Sequence, residues 1–122
     1  MCAGERSHMT ILQVLKIVAA VGTIATGIVS LFWPRSVQAF TGLTAPGPRG
    51  ITELRAVLGG FFIALGAAPL FLQVPQTYRM LGIAYLVVGL VRAISMVADK
   101  SVVQSNVISL AVEIVCGVIL VL

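Results

Sequence analysis

Charged side chains are scarce in this sequence. Asp, Glu, Lys and Arg make up 10% of the 122 residues and hydrophobic residues 59%. Soluble proteins contain about 25% charged residues, and a soluble domain of this length could not bury so much apolar surface. The composition therefore excludes an ordinary soluble domain and indicates a membrane protein. The basic residues form no cluster, which argues against a nucleic-acid partner and leaves membrane lipids as the expected surroundings.

Groups that carry catalytic or redox chemistry are also scarce. The single histidine, His8, lies in the N-terminal segment, and the two cysteines, Cys2 and Cys116, have no CxxC spacing. No nucleophile stands beside a base, and no set of residues has metal-ligand spacing. We therefore expect no enzymatic activity, no cofactor and no metal site.

What the chain does contain is long apolar runs. A helix crosses the hydrocarbon core in about 20 apolar residues, so this length allows four crossings. We predict an all-α polytopic membrane protein, an antiparallel bundle of four transmembrane helices in the inner (plasma) membrane. The single transmembrane domain covers residues 10–122, after a disordered or tag-like tail over residues 1–9. The predicted helices span about 10–33, 51–72, 76–98 and 101–122.

The first apolar run allows a second interpretation. Ser36-Val37-Gln38-Ala39 offers a small-residue site at which a signal peptidase could cleave. The run is, however, longer than the roughly 7–15 residues of a signal peptide core, and Trp33-Pro34 is typical of a helix leaving the membrane interface. A spanning helix is therefore the favoured interpretation.

Two charges lie deep inside the last two runs, Arg92 in the third and Glu113 in the fourth. An isolated charge at the membrane centre costs roughly 2.5–3.5 kcal/mol. Measured from the turn that joins the two helices, Arg92 lies about 9 Å deep and Glu113 about 18 Å deep. Helical side chains lean toward their own N-terminus, which closes much of this gap in antiparallel helices. An ion pair is the predicted arrangement.

Further polar residues are expected to join this pair. Glu53 and Arg55 enter the second run from the same membrane face, so that four charges would converge and sum to zero. Buried charges persist when they are paired and hydrogen-bonded, and three polar residues lie on suitable helix faces. The predicted buried charged cluster, which is also the candidate ligand pocket, comprises Arg92, Glu113, Glu53, Arg55, Tyr85, Asn106 and Ser109.

Glycines recur at helical spacing in the first three runs. In membranes, small residues let helix backbones approach closely. The predicted helix-packing positions are Gly27, Gly59, Gly60, Gly66 and Gly89.

These features together resemble one family. The second run begins E-L-R-A-x-x-G-G, an arginine lies late in the third run, and a glutamate lies in the fourth. Over residues 10–122 the chain is similar to the uncharacterised bacterial membrane family called domain of unknown function 4345, a distant relative of the DoxX-like four-helix proteins. The resemblance implies a four-helix bundle and no established activity. The family-like positions are Glu53, Arg55, Gly59, Gly60, Arg92 and Glu113.

Three functions are compatible with these patterns. DoxX-like proteins have been linked to respiratory and redox complexes or to the assembly of membrane proteins, so the resemblance implies an accessory or assembly component whose charged cluster is a structural lock. The alternatives are a binder of a lipid, quinone or other lipophilic ligand, and a small proton-coupled transporter that uses Glu113. Other membrane subunits are the expected partners, and a homo-oligomer is compatible. Lys16 stands in the first helix, where small four-helix drug exporters carry a carboxylate, which argues against that family.

Overall fold

Four long helices make up most of the molecule. The computed structural model describes the backbone of residues 3–122 and the surroundings of side chains from residue 11 onward. Within that range every regular element is helical, and four helices are long and apolar enough to cross a membrane. This confirms the predicted all-α bundle of four transmembrane helices. The four helices run from Ala3–Phe32, Pro48–Leu72, Pro75–Ala98 and Gln104–Val121.

The helix ends differ from the prediction in two places. The first helix begins at Ala3, so residues 3–9 continue this helix where a tail was predicted; residues 1–2 lie outside the described residues. The fourth helix begins at Gln104 and not at residue 101, because Val103 is extended (φ −119°, ψ 162°) and ends the connecting turn.

The connection between the first two spanning helices contains a short helix, Pro34–Thr41. Proline suits a first helical position because its missing N–H would have no partner there. The short helix ends at Gly42, whose φ of 78° is a left-handed conformation that glycine adopts readily.

The second spanning helix is not a regular α-helix throughout. Its middle part, Leu54–Phe61, is π-helical, between α-helical parts Pro48–Glu53 and Phe62–Leu72. Short π segments inside α-helices are rare and frequently lie at functional sites. The sequence pattern did not predict this segment.

Glycines bring the first and second helices into backbone contact. A Cβ atom added at Gly27 would lie 2.6 Å from the carbonyl oxygen of Gly59, and one added at Gly66 would lie 2.5 Å from that of Ala20. Only residues without a side chain allow backbones this close. Gly27, Gly59 and Gly66 therefore occupy the packing role that the sequence predicted. Because Gly27 faces Gly59 and Ala20 faces Gly66, the two helices are antiparallel.

A second glycine contact joins the third and fourth helices. A Cβ atom at Gly82 would lie 2.9 Å from the carbonyl oxygen of Gly117, and one at Gly117 would lie 2.6 Å from the Leu86 side chain. The sequence pattern did not predict this pair. Gly89, which was predicted as a packing position, has room for a methyl group, since the nearest atom would be the Glu113 Cβ at 3.6 Å.

Gly60 was also predicted as a packing position, and this prediction is wrong within the chain. Gly60 is exposed, and a Cβ atom there would have the Arg55 carbonyl oxygen, 3.9 Å away, as its nearest neighbour. The reason is that Gly59, the residue directly before it, lies on the face toward the first helix, so Gly60 points away from that helix.

The four helices form a closed ring in chain order. The third helix packs most extensively on the fourth and the second on the first, and the ring closes through contacts of the second helix with the third and of the first with the fourth. The buried core lies toward the end of the bundle where the third helix begins and the fourth ends, which we call end A. It comprises Ala19, Ala20, Tyr78, Leu81 and Leu120. The opposite end, with the turn before the fourth helix, is end B. Most outward side chains are aliphatic, as contact with lipid requires.

Candidate functional site

An ion pair between the third and fourth helices is the central polar feature. Arg92 Nε donates to Glu113 Oε1 over 2.7 Å, and Arg92 Nη2 donates to Glu113 Oε2 over 2.8 Å. The side chains are 31% and 11% exposed, respectively. Both carboxylate oxygens are therefore engaged by one guanidinium group, in the bidentate geometry that makes such pairs strong and directional.

Asn106 extends this pair toward the turn at end B. Arg92 Nη1 donates to Asn106 Oδ1 over 2.9 Å, and Asn106 Nδ2 donates to the Ser101 carbonyl oxygen over 2.9 Å. Asn106 and Glu113 are seven residues apart, which places them on one face of the fourth helix, two turns from each other. The network therefore ties the third helix, the turn and the fourth helix together.

Tyr85 lies two turns before Arg92 on the third helix but bonds elsewhere. Its hydroxyl is 2.5 Å from the Thr23 hydroxyl of the first helix, and Thr23 itself donates to the Ala19 carbonyl over 2.8 Å. Because a hydroxyl has one proton, Tyr85 must be the donor to Thr23. Tyr85 thus ties the third helix to the first.

The predicted convergence of four charges is not what the structure shows. Glu53 is exposed and pairs with Arg49, four residues earlier on its own helix. Arg55 is also exposed and lines a separate groove of about 300 Å³ with Trp33 and Arg35. The physical reason is that the second helix packs on the first from its π-helical segment onward. Glu53 lies before that contact, and an exposed carboxylate there finds a partner one turn away. Ser109 is half-buried, and no hydrogen bond of its side chain is found within the described residues.

An open groove of about 380 Å³ lies beside the ion pair. Its polar part comes from Arg92, Asn106 and two serines, and its apolar part from the outer side of the third helix. The lining residues are Val87, Val88, Val91, Arg92, Ser95, Met96, Ser101 and Asn106. The partly exposed Arg92 can therefore meet a molecule in the groove without leaving Glu113. Within the part of the chain that the structure describes, no three His, Cys, Asp or Glu residues are grouped to hold a metal ion.

The family comparison covers nearly the whole chain. Residues 11–122 match the family described as Domain of unknown function (DUF4345), and the chain belongs to this family. No curated protein and no solved structure matches the chain. The family match supports the predicted membership and carries no activity with it.

Proposed function

We propose that this chain is a non-enzymatic, multi-pass protein of the inner (plasma) membrane that works as an accessory or assembly component of a larger membrane complex. The observation that carries the proposal is a stripe of small residues on the outer side of the second helix. Ala56, Gly60 and Ala64 follow each other at intervals of four residues, and all three are exposed. Small residues at this spacing are typical of surfaces where another transmembrane helix packs closely.

The position of Gly60 in the stripe supports this role. No side chain of the chain itself covers Gly60, since the nearest atom to an added Cβ would be a carbonyl oxygen of its own helix, 3.9 Å away. The residue also lies in the π-helical segment Leu54–Phe61, with the exposed Phe61 beside it. Gly59 on the other side is already used for packing on the first helix. Gly59 therefore packs inside the bundle, and Gly60 is available for contact with a partner helix.

In this proposal the Arg92–Glu113–Asn106 network is a structural lock. It joins the third and fourth helices at the depth where an unpaired charge would be expensive. Such pairing specifies the register of the two helices more than it adds stability. A rigid bundle then presents the stripe on its second helix in a fixed orientation.

The test is purification of the native protein from its own membranes in mild detergent, followed by intact mass spectrometry. We expect protein partners in fixed stoichiometry with the wild type. Gly60→Leu should lose them, because the leucine side chain fills the space of the partner helix. Gly22→Leu is the matched control, since Gly22 is an exposed glycine on the first helix with no atom within 4 Å of an added Cβ. Absence of any partner, or equal loss in both variants, would reject the accessory role.

The groove beside Arg92 favours a second candidate function, the binding of a lipid, quinone or other lipophilic ligand. Polar Arg92 and Asn106 and the apolar Val88 line the same open groove of about 380 Å³, which is the mixture of surfaces that an amphipathic molecule requires. A proton-coupled transport role for Glu113 finds less support. Both oxygens of this carboxylate are held by Arg92, so proton transfer would require the pair to open.

A further inference from the structure

A second groove, of about 300 Å³, lies where the first spanning helix ends and the second begins. Two arginines from separate helices line it. Arg35 belongs to the short helix Pro34–Thr41, and Arg55 belongs to the π-helical segment of the second spanning helix. None of the described residues that line this groove is acidic. The fold therefore brings two like charges to one cavity, although they are 20 residues apart in the sequence.

The two arginines have no anionic partner within the described side chains. Among residues 11–122, the arginines that form ion pairs and side-chain hydrogen bonds are Arg49 and Arg92. These pairs engage two of the three acidic residues in this range, and the third lies in the turn before the fourth helix. Two like charges at one cavity repel each other, and an anion between them replaces repulsion by attraction. The groove is thus complementary in charge to an anionic ligand.

The groove lies at the boundary between hydrocarbon and headgroups. Ala20 of the first helix lies in one core cluster with Tyr78 of the third. Farther along both helices, Thr23 meets Tyr85. The two helices are therefore parallel, and the first helix ends at end B. Trp33 follows that end directly and lines the groove, and tryptophan is typical of the membrane interface.

Arg55 reaches this boundary from inside the membrane. It lies seven residues after Pro48, where the second spanning helix begins, which is roughly 10 Å along the helix. Helical side chains lean toward their own N-terminus, so Arg55 leans back toward end B. Long basic side chains pack their methylene groups on apolar surface while the charged group stays at the interface. Ile51, one turn before Arg55, lines the groove and provides such a surface.

The other wall of the groove is aromatic. The rings of Phe32 and Trp33 meet edge to face with centres 6.0 Å apart, and both side chains are more than half exposed. Ligand pockets have volumes of roughly 300–1,000 Å³, so this groove suits a lipid headgroup and not a whole lipid. The acyl chains of such a lipid would continue along the exposed Phe32 into the surrounding hydrocarbon.

We propose that this groove binds the phosphate group of an anionic phospholipid between Arg35 and Arg55. A guanidinium group can donate two parallel hydrogen bonds to phosphate oxygens, and two such groups on separate helices hold the headgroup in one position. The bound lipid also links the short helix to the second spanning helix. The site shares no residue with the stripe on the second helix or with the groove beside Arg92, so it does not rest on the proposed accessory role.

The experiment compares lipid binding by the wild type, the single variants Arg35→Gln, Arg55→Gln and Arg55→Lys, and the double glutamine variant, all delipidated in detergent. Phosphatidylglycerol and phosphatidylcholine are titrated, and native mass spectrometry measures the bound lipid. Each single glutamine variant should bind phosphatidylglycerol about tenfold more weakly, as expected for a lost hydrogen bond to a charged group. Arg55→Lys should lose less, because lysine keeps the charge but not the two parallel hydrogen bonds.

Lys100→Gln is the matched control. It also removes one exposed cation at end B, but Lys100 lies in the turn before the fourth helix and does not line the groove. Lys100→Gln should bind phosphatidylglycerol as the wild type does. Equal weakening in Lys100→Gln and the arginine variants would overturn the site in favour of a diffuse surface attraction. Unchanged binding in the double glutamine variant would also overturn it.

The choice of lipid and a competing anion test what the arginines bind. Phosphatidylcholine should bind more weakly than phosphatidylglycerol, because its headgroup carries a cation beside the phosphate. Inorganic phosphate should displace phosphatidylglycerol only in large excess, since the free anion gains no contact with the apolar wall. Equal binding of the two lipids, or displacement by inorganic phosphate at concentrations similar to that of the lipid, would overturn an anionic lipid as the ligand.

A stability measurement separates this site from purely structural arginines. Without lipid, Arg35→Gln and Arg55→Gln should melt at the temperature of the wild type, because the groove then holds no anion that the arginines could bind. With phosphatidylglycerol, the melting temperature should rise more in the wild type than in either variant. A much lower melting temperature of both variants without lipid would show that the arginines stabilise the fold directly and would overturn the proposal.

Discussion

Arg92 and Glu113 are 21 residues apart in the sequence and meet through two parallel hydrogen bonds of 2.7 and 2.8 Å. The third helix ends at Ala98 and the fourth begins at Gln104, so helix rise alone separates the backbone positions of the two residues by only about 4.5 Å in depth. The two helices are antiparallel, so the arginine leans deeper into the membrane and the glutamate leans back toward the turn at end B. Side-chain direction therefore makes this contact, and Asn106 completes it from the side of the turn.

The ion pair predicts a specific order of stabilities. Arg92→Ala should lower the free energy of unfolding by about 3 kcal/mol, because it leaves a buried carboxylate without its partner. Arg92→Ala combined with Glu113→Gln should lose less, since no charge then stays unpaired. The measurement is a melting or denaturant series in detergent. Equal losses, or additive losses from the two single changes, would contradict the pairing.

The exposed ion pair at the beginning of the second helix is the control for this experiment. Arg49 and Glu53 also form a pair, but both side chains are exposed. Surface pairs of this kind contribute about 0–1 kcal/mol. Glu53→Gln should therefore leave the melting temperature nearly unchanged.

The glycine contacts predict opposite effects at two positions of the third helix. Gly82→Ala should destabilise the bundle by about 1–3 kcal/mol, because its Cβ would lie 2.9 Å from the Gly117 carbonyl oxygen. Gly89→Ala should be neutral or stabilising by up to about 1 kcal/mol, since the nearest atom is 3.6 Å away and glycine is a poor helix former. Thermal unfolding of the two variants under identical conditions measures the difference. A greater loss in Gly89→Ala would contradict this packing.

The two tyrosines of the third helix predict a second contrast. Tyr85→Phe removes the bond to Thr23 and should lower the free energy of unfolding by about 0.5–1.5 kcal/mol. Tyr78→Phe removes a hydroxyl without a partner among the described residues and should cause no loss of stability. The comparison requires only equilibrium unfolding of both variants. A larger loss in Tyr78→Phe would show that its hydroxyl already has a partner.

The groove beside Arg92 predicts the effect of filling it. Val88→Trp should displace any lipophilic molecule that copurifies with the protein, because Val88 lines the groove. Val107→Trp is matched to it, since both valines are 47% exposed and Val107 does not line the groove. Intact mass spectrometry in mild detergent reports the bound molecule. Retention of the same molecule by Val88→Trp would exclude this groove as its site.

The spanning segments were predictable because they depend on local properties. Apolar runs of membrane length, prolines at their ends and the Asp99-Lys100 turn are all visible in one stretch of chain at a time. The contact between Arg92 and Glu113 was predictable for a related reason. The two helices are joined by a short turn, so counting residues from that turn gives the depth of both charges relative to the same membrane face.

The remaining contacts depend on which helix faces meet, and the sequence by itself does not determine this. Gly59 and Gly60 are neighbours of the same type, yet one packs on the first helix and the other is exposed. Glu53 was placed in the central cluster on charge and depth, but the rotation of the second helix and a nearer partner, Arg49, keep it outside. Hydropathy determined that four helices cross the membrane. Only the tertiary structure decided which side of each helix faces its neighbours, because small differences in close packing set helix rotation.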